Sequence, residues 1–163
     1  MTDQRGFVTG ILPCAAVILT VAAGKERDAM TATAIFVSEH PPLLSVSVAE
    51  HLLTHDLIEQ AGEFVVNVTT PEQVEMVREL GSTHGRDMDK FERFKVATEP
   101  SEKLGSPRIA ESYASLECKV VASRKVATYV VYTAEVVAHV ADRGRGPLVW
   151  HQGRYFPLGT PLD

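Results

Sequence analysis

The chain has 163 residues, 45 % of them apolar and 23 % charged, with a formal net charge of −5 and a pI near 5.7. That length and balance suit one domain, residues 1–163, whose core needs neither disulfide nor metal. The acidic balance excludes the basic footprint of a nucleic-acid binder. The apolar run Ile11–Ala23 is too short to span a bilayer and carries Pro13 and Cys14, so no membrane association and a cytoplasmic location are expected.

Strand signals lead the chain. Ala15–Val21 is rich in β-branched residues and has no helix cap. A charged turn at Lys25–Asp28 follows Gly24. Ala29–Val37 alternates small and β-branched residues until His40-Pro41-Pro42 breaks it, because neither proline can donate to a ladder. Leu43–Val48 is a further strand with alternating serines. Thr54 is expected to open and cap a short helix that Gly62 ends. Phe64–Val68 is an almost wholly apolar strand. Thr70-Pro71-Glu72-Gln73 has the threonine, early proline and reciprocal glutamine of a helix start. Val74, Val77 and Leu80 form its stripe, and Gly81 is expected to stop it.

Residues 81–95 make a long polar excursion, a feature often tied to function. Ser115–Ala122 and Tyr129–Val140 are strands, the second about twice the common length of ~5–6 residues, and such a strand often bends to serve both halves of a barrel. Leu148–Trp150 and Tyr155–Leu158 flank Gln152-Gly153 as a terminal hairpin. About seven strands and two or three short helices, joined mostly strand to strand, favour a closed or nearly closed antiparallel barrel over a doubly wound sheet.

The chemistry is less explicit. Neither Gly-x-Gly-x-x-Gly nor Gly-x-x-x-x-Gly-Lys-Ser/Thr occurs. Met30-Thr31-Ala32-Thr33-Ala34 offers hydroxyls, backbone amides and side chains small enough for a flat ring to approach. Ser45, Ser47 and Thr54 follow, and Thr54 stands at a helix N-terminus that favours a phosphate. On composition alone a plain packed strand is the stronger reading of this segment. His51 and His55 would not share a helix face, so no metal site is expected. Cys118 reads as a buried strand thiol. Asp87, Asp89 and Glu92 read as turn and solvent-facing groups, and Trp150 and Tyr155 as core or dimer contacts. Lys119, Arg124, Lys125, Arg143, Arg145 and Arg154 enrich the last third in cations, a solvated face or a landing area for an anionic nucleotide.

Taken together, Ala29-Met30-Thr31-Ala32-Thr33, Ser38-x-x-Pro41-Pro42-Leu43, Thr54 and Gly62-Glu63-Phe64-Val65-Val66-Asn67-Val68 resemble the flavin reductase-like family. Asp89-Lys90-Phe91, Leu116-Glu117-Cys118, Ala134-Glu135-Val136 and Gly153-Arg154-Tyr155 continue the family order. The resemblance implies a mainly β, antiparallel Greek-key split barrel with two or three short helices. It implies a homodimer with FMN, or FAD, near the subunit interface and NADH or NADPH as electron donor. The activity implied is an FMN-dependent oxidoreductase. The alternative is an FMN-binding, flavoredoxin-like electron carrier that serves a redox partner protein without nicotinamide chemistry of its own.

By match, Ala29, Met30, Thr31, Ala32, Thr33 and Ala34 would line the ring. Val48, Ala49, Leu53 and Thr54 would run toward the ribityl phosphate, and Gly85 would approach from the other side. Three departures stand out. Asp28 replaces an asparagine common in the family; a carboxylate repels a phosphate, so Asp28 is expected to point elsewhere. The stretch from Met30 to the prolines is a residue short. Ala127-Thr128-Tyr129 stands where a Gly-Asp-His turn is common, and Tyr129 cannot carry a positive charge, which weighs against a conventional NAD(P)H reductase.

Overall fold

A computed structural model describes residues 10–162. Cys14–Ala15 (β1) leads into Val17–Ala23 (β2), followed by Glu26–Ala32 (β3), Ala34–Ser38 (β4) and Leu43–Ala49 (β5). A helix, Leu53–Ala61 (α1), precedes Glu63–Val68 (β6). A 3-10 turn at Pro71–Gln73 leads into Val74–Ser82 (α2), and Lys90–Arg93 (α3) is a single turn. The strands Thr98–Glu99 (β7) and Arg108–Ile109 (β8) precede the long pair Ala114–Val126 (β9) and Tyr129–Ala141 (β10). Leu148–His151 (β11) and Arg154–Pro157 (β12) close the chain.

Seven strands form one antiparallel sheet in the order β3-β2-β6-β9-β10-β5-β4. The two edge strands, β3 and β4, are consecutive in the chain and separated by Thr33 alone. The sheet therefore curls to bring its two edges to one corner at Thr33 without pairing them, giving the expected mainly β split barrel. The long strands β9 and β10 make that curl possible. Their register shifts at Thr133/Ala134 and Val136/Ala138, and such bulges bend a strand and raise its twist. A second sheet, β1-β11-β12, attaches the terminal hairpin beside the barrel.

Burial on both faces explains the unbroken apolar run of β2. Val17, Leu19 and Val21 point into the barrel with Val46, Val48, Phe64 and Tyr132, while Ile18 packs outside with Val77, Leu80 and Phe91. Leu57 and Ile58 of α1 complete the barrel core. Gly62, at φ +67°, takes the left-handed turn that ends α1, and its amide bonds the Ile58 carbonyl. Asn67 is fully buried and holds four bonds: Nδ2 donates to Ile18 O (3.0 Å) and Thr20 Oγ1 (3.1 Å), and Oδ1 accepts from Ile109 N (2.8 Å) and Ser115 Oγ (2.9 Å). Two carboxylates pin the loop between β7 and β8. Glu117 accepts the amides of Glu102 and Lys103, each at 2.7 Å, and Glu63 accepts those of Gly105 and Ser106.

Three local expectations are corrected. The strand expected over Ala29–Val37 is two strands, because the chain changes sheet edge at Thr33. Gly81 does not stop α2 but lies inside it, where a Cβ would stand 3.2 Å from Thr31 Cβ; the glycine lets the helix approach β3. The excursion 81–95 contains α3, whose start is capped by Asp89 Oδ1 accepting the amides of Phe91 (2.8 Å) and Glu92 (3.2 Å). Among the described residues no helix is long and apolar enough to cross a membrane.

Candidate functional site

The seam of the barrel opens into a cleft of about 470 Å3. Met30, Thr31, Ala32 and Thr33 form one wall, where β3 ends. Ala49 and Ser47 of β5, the strand inside the opposite edge, approach from across the seam, and Tyr129 joins them because β10 pairs it directly with Ala49. His51 and Leu52 enter from the turn between β5 and α1. Trp150 and Tyr155, a directly opposed pair on β11 and β12, supply aromatic surface from the second sheet. Small side chains on the strands and flat rings across from them make a slot for a planar, largely apolar ligand. A larger depression of about 680 Å3 lies at the terminal hairpin, around Gln152, Gly153 and Arg154, and shares Trp150 with the cleft. It is built on a turn and includes nothing from β3 or β5.

Five of the eleven residues singled out from sequence line the cleft: Met30, Thr31, Ala32, Thr33 and Ala49. Ala29 is buried behind the wall in the outer core, and Val48 lies inside the barrel. Ala34, beyond the edge change at Thr33, faces a separate apolar cavity of about 450 Å3 beside Ile35 and Phe36. Leu53 and Gly85 line a small polar pocket of about 290 Å3 of mixed charge, where Lys25, Arg27 and Arg86 stand among Glu26, Asp87 and Asp89. Thr54 is fully buried and is not the cap of α1. Leu52 occupies the cap position, and no side chain caps the first amides of the helix. The hydroxyl of Thr54 is spent on Asp28 Oδ2, at 2.5 Å, so it cannot meet a phosphate.

Asp28 does not line the cleft; it is 2 % exposed, beneath the wall. Lys90 Nζ, equally buried, stands 3.1 Å from Asp28 Oδ1 and donates to the Ala29 carbonyl at 2.6 Å. The ion pair lacks hydrogen-bond geometry, and Asp28 Oδ1 has no hydrogen-bond partner. A Cβ at Gly85 would overlap the Asp28 carboxylate, so the loop approaches there only because the residue is glycine. Thr31 is tied on its other side, its Oγ1 donating to the Val77 carbonyl at 2.5 Å.

The start of α1 carries a charge pair. Arg86 Nε donates to the His51 carbonyl (3.1 Å) and Nη2 to Asp56 Oδ2 (2.5 Å), which places a guanidinium beside the uncapped helix start. The hydrogen bonds from Arg86 and then His55 hold the Asp56 carboxyl below the usual carboxylate range. Of the late cations, Lys125 pairs with Glu50 near the cleft, whereas Arg145 pairs with Asp142 and Glu111 around a different pocket. Cys118 is no nucleophile: burial pushes its thiol up to about 12. Sequence reasoning set aside Trp150, Tyr155 and His51 for this cleft. The matched position of Gly153-Arg154-Tyr155 beside an aromatic partner on the opposing strand was the available signal for the first two.

A model of the flavin reductase like domain matches residues 9–159. An NADH-dependent FMN reductase of Streptomyces nodosus subsp. asukaensis is 30 % identical over 157 residues, covering 93 % of this chain and 82 % of that protein. The reductase component of a 4-nitrophenol 4-monooxygenase/4-nitrocatechol 2-monooxygenase from Rhodococcus opacus is 30 % identical over 149 residues, covering 91 % and 74 %. In three dimensions the NADH:FAD oxidoreductase of Streptomyces globisporus superposes with a TM-score of 0.88 at 25 % identity, covering 98 % of this chain and 95 % of that one.

Proposed function

Because this chain belongs to the flavin reductase like domain family, we propose that it reduces FMN, or FAD, with NADH or NADPH as hydride donor. The observation that carries the reading is the cleft at the barrel seam, where the Met30–Thr33 wall faces the rings of Trp150 and Tyr155.

The residues present fit a flavin nucleotide. Ala32 and Ala49 leave room for a ring against the backbone, and Trp150 and Tyr155 offer flat surface. Leu53, Gly85 and Arg86 mark the path of the ribityl phosphate toward the uncapped start of α1, where unpaired amides favour an anion. Asp28 does not oppose that anion, since Lys90 stands against it. Bound flavin supplies the hydride-accepting ring. The chain itself holds that ring, keeps water from its aromatic side and orients the donor. Backbone amides of residues 30–33 are suited to the charge that develops along the ring edge. Tyr129 and His51 also line the cleft, and in this reading they position the nicotinamide. Thus the absence of a histidine at position 129 is offset by His51, which reaches the cleft from another element.

The relatives named above include the reductase component of a monooxygenase. By that analogy, the reduced flavin serves a separate oxygenase. The chain acts as a homodimer whose second copy covers the unpaired edge strand β4, where Ile35, Phe36 and Val37 expose 69 %, 67 % and 47 % of their surface.

Anaerobic mixing tests the activity. FMN-loaded protein should bleach near the flavin bands on addition of NADH or NADPH. Bleaching by dithionite alone would contradict the reductase reading and leave the electron-carrier alternative.

A further inference from the structure

The flavin reading gives a role to the ion pair beneath the cleft wall, and the inference rests on that reading. Asp28 and Lys90 are 2 % and 3 % exposed. Burying two charges is costly, and apolar residues of similar volume often serve stability equally well or better. Stability alone therefore does not account for the pair, whereas its position does. Lys90 Nζ grips the carbonyl of Ala29, the residue immediately before the Met30–Thr33 wall. Asp28 Oδ2 accepts the hydroxyl of Thr54 in the first turn of α1. Gly85, in the loop beside Arg86, lies against the same carboxylate. Strand, helix start and loop thus converge on one buried anion, and Lys90 is the cation set against it.

We propose that Lys90 is a positioning residue for flavin binding. Without lining the cleft, it fixes the Met30–Thr33 wall relative to the start of α1, and it cancels a carboxylate that would otherwise repel the phosphate of the ligand. The charge part has a signature that a purely structural role lacks: FMN, which carries a phosphate, should respond more than riboflavin, which does not.

The test is the affinity of both flavins for four proteins: the parent, Lys90→Met, Asp28→Asn and the double variant, each checked for folding by circular dichroism. Lys90→Met leaves Asp28 unopposed, so FMN affinity should fall about tenfold or more, with a smaller fall for riboflavin. The double variant removes the orphaned carboxylate and should recover most of the loss. Asp28→Asn keeps the Thr54 bond but leaves Lys90 unopposed, so the ratio of FMN to riboflavin affinity should rise. This arm decides the matter if Lys90→Met fails to fold. Unchanged FMN affinity in folded Lys90→Met, equal losses for the two flavins, no recovery in the double variant, or an unmoved ratio in Asp28→Asn would each overturn the proposal. A parent chain that binds neither flavin would overturn the functional reading, and this inference with it.

Discussion

Asn67 connects β6 to β2, β8 and β9 through four hydrogen bonds and has no contact with solvent. Asn67→Ala would leave several buried groups unpaired and should destabilise the chain by roughly 3–5 kcal/mol in urea unfolding. A loss under about 1 kcal/mol would show that these bonds are dispensable. Cys118 governs behaviour at high pH. Its thiol is raised from 9.0 to about 12 by burial, so the folded state keeps a proton that the unfolded state releases. The stability this represents is complete below pH 9 and drains away as pH rises toward 12. Tyr132 is shifted in the same sense, by burial and then by the Glu59 carboxylate that accepts its hydroxyl at 2.7 Å. The thermal midpoint should therefore fall steadily above pH 9, and Cys118→Val should flatten that fall; an unchanged slope would assign it to other groups. His51 lines the cleft, and the proposed function gives it to the hydride donor. His51→Ala should raise KM for NADH several-fold while FMN affinity moves less, and the reverse pattern would place His51 on the flavin.

At the scale of elements, the approach of loop 83–89 to β3 is set by one missing side chain. Gly85→Ala forces a Cβ into the Asp28 carboxylate, which Thr54 and Lys90 hold in place. The loop must then retreat, and FMN titration should show weaker binding with little change in the thermal midpoint. Affinity equal to the parent would mean that the loop does not reach the ligand. The strands β2 and β6 are legible as short apolar, β-branched runs and β5, β9 and β10 by alternation, both of which match a pleated, buried surface. The break between β3 and β4 is not. Thr33 sits in a uniform run of small and β-branched residues, and only closure of the sheet, a long-range event, decides that the chain changes edge there. Thr54 was misread for a similar reason. A threonine just before an apolar stripe has the local chemistry of a cap, but tertiary contact with Asp28 claims its hydroxyl.

At the scale of the molecule, the family and the barrel were readable from landmarks spread along the chain, whereas the site was only half readable. Met30–Thr33 and Ala49 lie together as their motif suggested, yet the opposing wall comes from the terminal hairpin, roughly a hundred residues downstream of β3. No local pattern joins those segments; β1, paired to β11 at Cys14–Trp150, brings the second sheet to the seam. The exposed edge β4 gives the assembly its own test. Sedimentation should find a dimer, and Phe36→Asp should shift it toward monomer; a monomeric parent would contradict the assignment of that edge. In the proposed function the flavin ring lies between Met30–Thr33 and the rings of the hairpin, and the chain carries its own reporter there. Trp150 is the only tryptophan and lines the cleft. Titration with FMN should quench its fluorescence saturably, with one flavin bound per chain, and FMN that binds without altering Trp150 emission would place the flavin elsewhere.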